Sequence, residues 1–275
     1  MGAAEEWATG TDVVRIELAS RVAVITLNRP ERRNALHYEM FEAIPRALDE
    51  FAGRDDVGCI VLTGAGSAFC AGGDVTGEGE RPGFDPRDAD ARVNKLLADA
   101  QLGRLLHEHP KLTLAALNGA AVGAGMALAL ACDLRIAAQS ARLIGGWAQL
   151  GFSGDFGGAW FLTHLVGPSR ALELLTSGRP VDADLAHDLG LVNRVVADAE
   201  FAEGWRAWAR ELAAGPTGAF TGMKANVHDA RRLPLAEALV LETDRMSASA
   251  RTPEHREARR AWMEKRAPVF HPPPG

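Results

Sequence analysis

The sequence predicts an α/β domain, on two observations. Short runs of β-branched and leucine-rich residues closed by turn residues recur at Val22 to Leu27, Cys59 to Thr63, Leu112 to Leu117 and Leu134 to Ala138, and such runs read as strands. Helical patterns lie between them, the alternation expected of an α/β fold. The clearest is His37 to Phe51, where Met40, Ala43, Ile44, Ala47, Leu48 and Phe51 fall on one helix face.

The 275 residues suffice for one large domain, or one domain with a small appendage. Apolar residues make up 47% and charged residues 24%, ordinary proportions for a globular chain. The formal net charge of -6 argues against a nucleic-acid partner, because such binding rests on phosphate neutralisation by Lys and Arg. Cys59, Cys70 and Cys132 are widely spaced, with no Cys-x-x-Cys and no Cys/His cluster. They read as buried thiols in a reducing compartment, and no metal is expected. The first ten residues carry acid and no apolar run, so no signal peptide is expected and the location is taken as cytoplasmic.

Leu112 to Cys132 carries no charged residue and is long enough to cross a bilayer. Asn118, Gly119, Gly123 and Gly125 interrupt it, so it reads as a buried strand, a glycine loop and a buried helix, with no membrane partner. Gly77 to Asp90, rich in Gly, Pro and charge, reads as an exposed, mobile loop. Beyond about Asp198 charged amphipathic helices take over: Glu200 to Ala214, Leu235 to Ser249 and Pro253 to Lys265. The last suits packing on a partner surface as well as on its own core. The tail His271 to Gly275 is expected to lack order.

Two strand ends run into glycine-rich turns, Thr63 to Asp74 (TGAGSAFCAGGD) and Asn118 to Gly125 (NGAAVGAG). Neither is followed by Gly-Lys-Ser/Thr, and the first lacks the third glycine of a dinucleotide fingerprint. Such turns expose backbone N–H groups that a substrate can approach closely. A helix N-terminus adds partial positive charge. Two converging N–H groups make an oxyanion hole; glycines that merely form tight turns are the competing reading.

Five segments then carry a resemblance. They are Asn28 to Leu36 (NRPERRNAL), Phe69 to Asp74 (FCAGGD), Asn118 to Gly125, Gly190 to Val196 (GLVNRVV) and Glu264 to Phe270 (EKRAPVF). In order and spacing, from about residue 13 to 270, they are similar to the crotonase (enoyl-CoA hydratase/isomerase) family. The resemblance implies a crotonase spiral of ββα units over residues 11–198. It implies a helical region over residues 199–275 that forms a homotrimer or a dimer of trimers. The substrate would be an acyl-CoA thioester, with coenzyme A entering only as part of it and no further cofactor. The oxyanion donors would be the N–H groups of Gly73 and Ala124. Arg33, Ala35, Ala71, Asp74 and Val75 would lie near the coenzyme A moiety.

A hydratase of that family holds one water between two glutamates. At the matching positions this chain has Ala127 and Trp147, and neither can deprotonate water. The following turn, Gly151 to Leu162 (GFSGDFGGAWFL), resembles the family's isomerases, including phenylacetate-pathway epoxide isomerases and Δ3,Δ2-enoyl-CoA isomerases. There a single carboxylate, here Asp155, shuttles the proton. Gly154 replaces their usual proline and Thr163-His164 their Pro-Arg. Such a carboxyl needs a raised pKa, and Phe152, Phe156 and Trp147 are candidates to desolvate it. Asp155 as a turn residue or the N-cap before a Gly157 to Leu165 helix is the competing reading.

Two other readings stay open. In 4-chlorobenzoyl-CoA dehalogenase-like members an Asp at this position is a nucleophile, and a Trp eight residues earlier, here Trp147, lines the aryl pocket. Those members also need a histidine where this chain has Ala100; His107 and His109 fall on another turn and read as surface residues. A non-catalytic acyl-CoA binder is the third. The reading placed first is isomerisation of an unsaturated acyl-CoA, with Asp155 as acid/base and a hole-stabilised enolate.

Overall fold

One unit repeats along the chain: a strand in a large sheet, a short strand in a small sheet, then a helix. The computed structural model describes residues 5–272 apart from Val75, Glu78 and Pro86. Its elements in chain order begin β1 (Glu5–Glu6), β2 (Val14–Ala19), β3 (Val22–Leu27), α1 (Met40–Gly53), β4 (Cys59–Gly64), β5 (Ala68–Cys70) and α2 (Ala89–Glu108). The middle holds β6 (Leu112–Leu117), β7 (Ala120–Val122), α3 (Ala124–Ala131), β8 (Leu134–Ala138) and β9 (Arg142–Ile144). Then come α4 (Gly158–Val166), α5 (Pro168–Ser177), β10 (Val181–Asp182), α6 (Ala183–Asp188) and β11 (Arg194–Val196). The chain closes with α7 (Phe201–Ala214), α8 (Thr217–Ala230), α9 (Leu235–Ser249) and α10 (Pro253–Glu264).

The large sheet runs β1-β2-β3-β4-β6-β8-β11 and the small one β10-β9-β7-β5. From β3 onward the large sheet is parallel, and so are β5, β7 and β9 in the small one. Parallel strands are buried on both faces and read as apolar runs, which is why β3, β6 and β8 appear with the bounds their sequence predicts. Each unit, β4-β5-α2 or β6-β7-α3, makes one turn of the spiral. Its strand ends, and with them the glycine turns, fall where the two sheets meet.

The expected α1 starts three residues late, at Met40, and all six of its predicted core residues are buried. The uncharged stretch forms β6, β7 and α3, whose eight residues are all buried. Among the described residues no helix is long and apolar enough to cross a membrane. Among its described residues, the stretch from Gly77 to Asp90 is held at two points: the Tyr38 N–H donates to the Gly79 carbonyl at 2.9 Å, and Arg81 pairs with Glu42 at 2.7 Å. It is shorter than expected because α2 begins at Ala89, with Asp88 capping the Ala91 N–H. The last three residues of the expected tail, and Val75, lie outside the described residues.

Helix α7 packs on β3, β4, β6 and β8 and buries Trp205, Trp208, Ala209 and Ala213. The three helices after it differ. Helix α9 buries no residue, and Leu235, Val240, Met246, Trp262 and Met263 stand exposed. Helix α8, which the sequence did not announce, docks on the core through polar groups at helical spacing. Thr221 Oγ1 donates to the Pro110 carbonyl at 2.8 Å, Lys224 pairs with Asp133 at 2.7 Å, and His228 stacks on His107.

Candidate active site

The turn after β5 brings two backbone donors to one place. Gly72 sits at φ +88°, and a Cβ there would lie 2.7 Å from the Val122 carbonyl, so only glycine fits. The same Cβ would stand 3.6 Å from the Ala124 nitrogen, which puts this turn against the start of α3. Gly73 is exposed, with nothing within 4 Å of where its Cβ would be. Ala124 is the first residue of α3, after Gly123 at φ +53°. Among the described residues neither the Gly73 nor the Ala124 N–H has an acceptor in the chain. They are therefore available to an oxygen, and alanine at position 124 removes nothing because the donor is main chain.

The predicted carboxylate is linked to the Ala124 side of this turn through an indole. Trp147 Nε1–H donates to Asp155 Oδ1 at 2.8 Å. The indole is 6% exposed and lies between two glycines. A Cβ on Gly123 would sit 3.8 Å from Nε1, and one on Gly158 only 2.5 Å from Cη2. The glycine preceding the Ala124 donor and the first residue of α4 thus leave room for one indole, which ties the carboxylate to the edge of the hole. Burial pushes the Asp155 carboxyl above its ordinary range, and the Trp147 hydrogen bond offsets part of that rise.

Of the competing reading, the N-cap role does not hold while the turn role does. Helix α4 starts at Gly158 with Gly157 as its cap and no side-chain cap bond; Asp155 contributes only its carbonyl, to the Gly158 N–H at 2.9 Å. Of the expected desolvating residues, Trp147 and Phe156 are buried but Phe152 is 58% exposed. Phe156 turns inward at φ +51° and meets the ring of Phe41 at 5.8 Å, while Phe152 stays outside on the preceding turn. Ala127 is fully buried in α3.

The residues expected around coenzyme A separate into three kinds. Arg33 is exposed at φ +50°. Ala35 is buried and Ala71 half-buried, the Ala71 N–H donating to the Arg33 carbonyl at 2.9 Å. The Asp74 carboxylate faces inward instead, paired with Arg29 at 3.0 Å and accepting from Thr76. Burial alone would raise its pKa, but these hydrogen bonds hold it below the ordinary range. Arg29 escaped sequence reasoning because its partner lies 45 residues away; its place in the Asn-Arg-Pro segment was the only signal.

The two histidines expected at the surface are not there. His109 is buried: its Nδ1 accepts from the Lys111 N–H at 3.1 Å and its Nε2 reaches the Leu48 carbonyl at 3.0 Å. His107 is half-buried, stacked on His228 at 4.2 Å and edge-on to Trp160 and Phe161. Burial and the neighbouring His228, Lys224 and Arg231 push it down to about 4. Both sit where α2 turns into β6 under the cover of α8. Neither has a hydrogen bond to Asp155, and Ala100 packs on the core. Cys70 and Cys132 are buried, with thiols pushed up to about 12, so neither is a ready nucleophile. Among the described residues no group of three His, Cys, Asp or Glu is placed to hold a metal.

Comparison with known proteins finds relatives along nearly the whole chain. The enoyl-CoA hydratase/isomerase family model matches residues 17–273. A probable enoyl-CoA hydratase of Rhodobacter capsulatus is 38% identical, over 94% of this chain and 97% of its own. The 1,2-epoxyphenylacetyl-CoA isomerase of Escherichia coli is 36% identical over 90% and 94%. A 4-chlorobenzoyl coenzyme A dehalogenase of Arthrobacter is 36% identical over 74% and 73%. Among solved structures, a putative enoyl-CoA hydratase of Streptomyces coelicolor superposes with a TM-score of 0.89 at 33% identity, covering 98% of both chains.

Proposed function

The chain belongs to the enoyl-CoA hydratase/isomerase family, and within it we propose that it isomerises an unsaturated acyl-CoA by proton transfer through Asp155. The thioester oxygen accepts from the Gly73 and Ala124 N–H groups, and negative charge developing there makes the C2 proton acidic. A donor of this kind is worth about 100- to 1000-fold in rate. The Asp155 carboxylate takes the C2 proton and returns it at C4, so that a 3-enoyl thioester becomes the conjugated 2-enoyl thioester. One carboxylate both removes and delivers the proton, and no water enters the bond.

The observation that carries this reading is the Trp147–Asp155 hydrogen bond at 2.8 Å on a carboxyl whose burial raises its pKa. A base of raised pKa in a half-dry site is suited to proton transfer. Hydration is disfavoured because Ala127 and Trp147 leave no second acid/base group to hold water. The test offers the purified protein a 3-enoyl-CoA and a 2-enoyl-CoA side by side. Conjugation of the first without hydration of the second supports the reading; the reverse pattern removes it.

A second reading has one observation in its favour. The same Trp147–Asp155 pair suits an aryl thioester with Asp155 as nucleophile, and a dehalogenase is among the relatives. It ranks lower because Ala100 stands where that chemistry needs a histidine. Release of halide or free acid from a chlorobenzoyl-CoA would favour it. Arg33, Ala35 and Ala71 are proposed to line the path of coenzyme A, which enters only as part of the substrate. The exposed apolar residues of α9 and α10 support a homotrimer or dimer of trimers, measurable as solution mass.

A further inference from the structure

Arg29 is buried, 7% exposed, and no step above uses it. Its Nη1 donates to the Ala35 carbonyl at 2.9 Å and to Asp74 Oδ2 at 3.0 Å. The first bond leads somewhere specific. The Ala35 carbonyl belongs to the same peptide unit as the Leu36 N–H, and peptide units are planar and trans, so the two point in opposite directions. The Leu36 N–H in turn donates to the Gly72 carbonyl at 2.8 Å, and none of the described peptide bonds is cis. That carbonyl shares its peptide unit with the Gly73 N–H, which therefore points away from Leu36 and has no acceptor among the described residues. Guanidinium, peptide 35–36, peptide 72–73 and oxyanion thus form one line of hydrogen bonds.

Resting on the oxyanion-hole reading above, we propose that Arg29 is a positioning residue that aims and polarises the Gly73 N–H through the Ala35–Leu36 and Gly72–Gly73 peptides. Hydrogen bonds in series polarise one another in a low-dielectric interior. A cation at the head of such a line draws electron density toward itself and makes the terminal N–H a stronger donor. Rigid anchoring of the head is built in. The Arg29 N–H is held by Asn34 Oδ1 at 3.0 Å, and the Asn34 amide donates to the Ala65 and Ala68 carbonyls at 2.8 and 2.7 Å. The Asp74 carboxylate, one residue beyond Gly73, accepts from the same Nη1 that donates to the Ala35 carbonyl and so fixes that nitrogen. The Ala124 donor needs no such device, because the Gly123 carbonyl of its peptide accepts from the Ala127 N–H at 3.0 Å, inside the first turn of α3.

The test reads the carbonyl itself. A saturated acyl-CoA carrying a 13C-labelled thioester carbonyl, butyryl-CoA for instance, is bound to the full chain and its stretch recorded by difference infrared spectroscopy. The wild type is expected to lower that frequency. Arg29→Lys, which keeps the cation, should retain most of the lowering, and Arg29→Gln, uncharged and of similar length, should lose most of it. Turnover of a 3-enoyl-CoA should fall about 10- to 100-fold in Arg29→Gln, in kcat more than in KM. Equal lowering in all three folded proteins would overturn the proposal. Should Arg29→Gln not fold, Asp74→Asn decides: it keeps an acceptor for Arg29 but removes the counter-charge, so the lowering should equal or exceed that of wild type, and a smaller one overturns the proposal. No lowering in the wild type would instead sink the oxyanion hole itself, before any variant is compared.

Discussion

The two sides of the proposed reaction centre are built on opposite terms. On the Gly73 side nearly every polar group is engaged: Arg29, Asn34, Asp74 and the peptides around Leu36 and Gly72 hold one another at 2.7 to 3.0 Å. On the Asp155 side the carboxylate has, among the described residues, one hydrogen bond, from an indole. The difference follows from what each side must do. An oxyanion donor needs direction, which a dense network supplies. A base needs a raised pKa, which a dense network would abolish by stabilising the carboxylate. Asp74 and Asp155 show the contrast within one residue type, the first held below its ordinary range and the second above it.

The largest expected effect separates those two aspartates. Asp155→Asn should lower isomerisation about 100- to 10,000-fold while leaving the melting temperature equal or higher. The folded pKa of Asp155 is raised, so its charged form costs stability above that pKa and the cost disappears as pH falls; asparagine removes it at neutral pH. Asp74→Asn should do the opposite to stability. Its folded pKa is lowered, so its contribution is present above the unfolded pKa and lost as pH falls through the folded one, and asparagine should cost about 1 to 3 kcal/mol at neutral pH. Denaturation of both variants at pH 7 checks the pair; a shift of the same sign in both would break the comparison.

The next effect acts on orientation alone. A methyl in Gly158→Ala would fall 2.5 Å from Trp147 Cη2 and must move the indole. A displacement of this size should cost about 100-fold in kcat with coenzyme A binding unchanged, as isothermal titration would show. Trp147→Phe should be milder. It removes the N–H that holds the Asp155 pKa down, so that pKa rises further. The base must be ionised to act, hence the acid limb of the kcat profile should move to higher pH. A limb that moves to lower pH would contradict the assigned role of the indole.

Much of this was legible in the sequence, and the misses have a common cause. Strands β3, β6 and β8 and helix α9 appear at their predicted bounds because turn residues or prolines fence an apolar or charged run. The family resemblance singles out Trp147 and Asp155, Trp147 as a pocket-lining or desolvating group; the hydrogen bond between them was not readable, because it depends on how the turn folds back. Helix α8 was not readable either, because its inward face carries Thr221, Lys224 and His228, and polar residues at helical spacing look like a solvated face. Helix α2 was not predicted from its own pattern, because Val93, Leu96 and Leu97 are exposed while Leu102 and Leu106 are buried, which blurs its period. The burial of His107 and His109 depends on α8 and α1 closing over them. Arg29 depends on a contact between two loops that only the fold brings together.

The smallest effect sharpens the comparison from the donor side. Ala124→Gly leaves the N–H in place, so kcat should change less than about threefold, with a stability loss of about 1 kcal/mol from glycine in a helix. A large loss of kcat would mean that the Ala124 side chain, not its main chain, serves the reaction.

Whether one carboxylate moves a proton on an unsaturated acyl-CoA is decided by a single assay. Conversion of a 3-enoyl-CoA to its conjugated 2-enoyl isomer is followed for wild type and Asp155→Asn at equal concentration of folded protein. The account predicts turnover by the wild type and its loss in the variant. Equal turnover by both proteins, or none by the wild type, would contradict it.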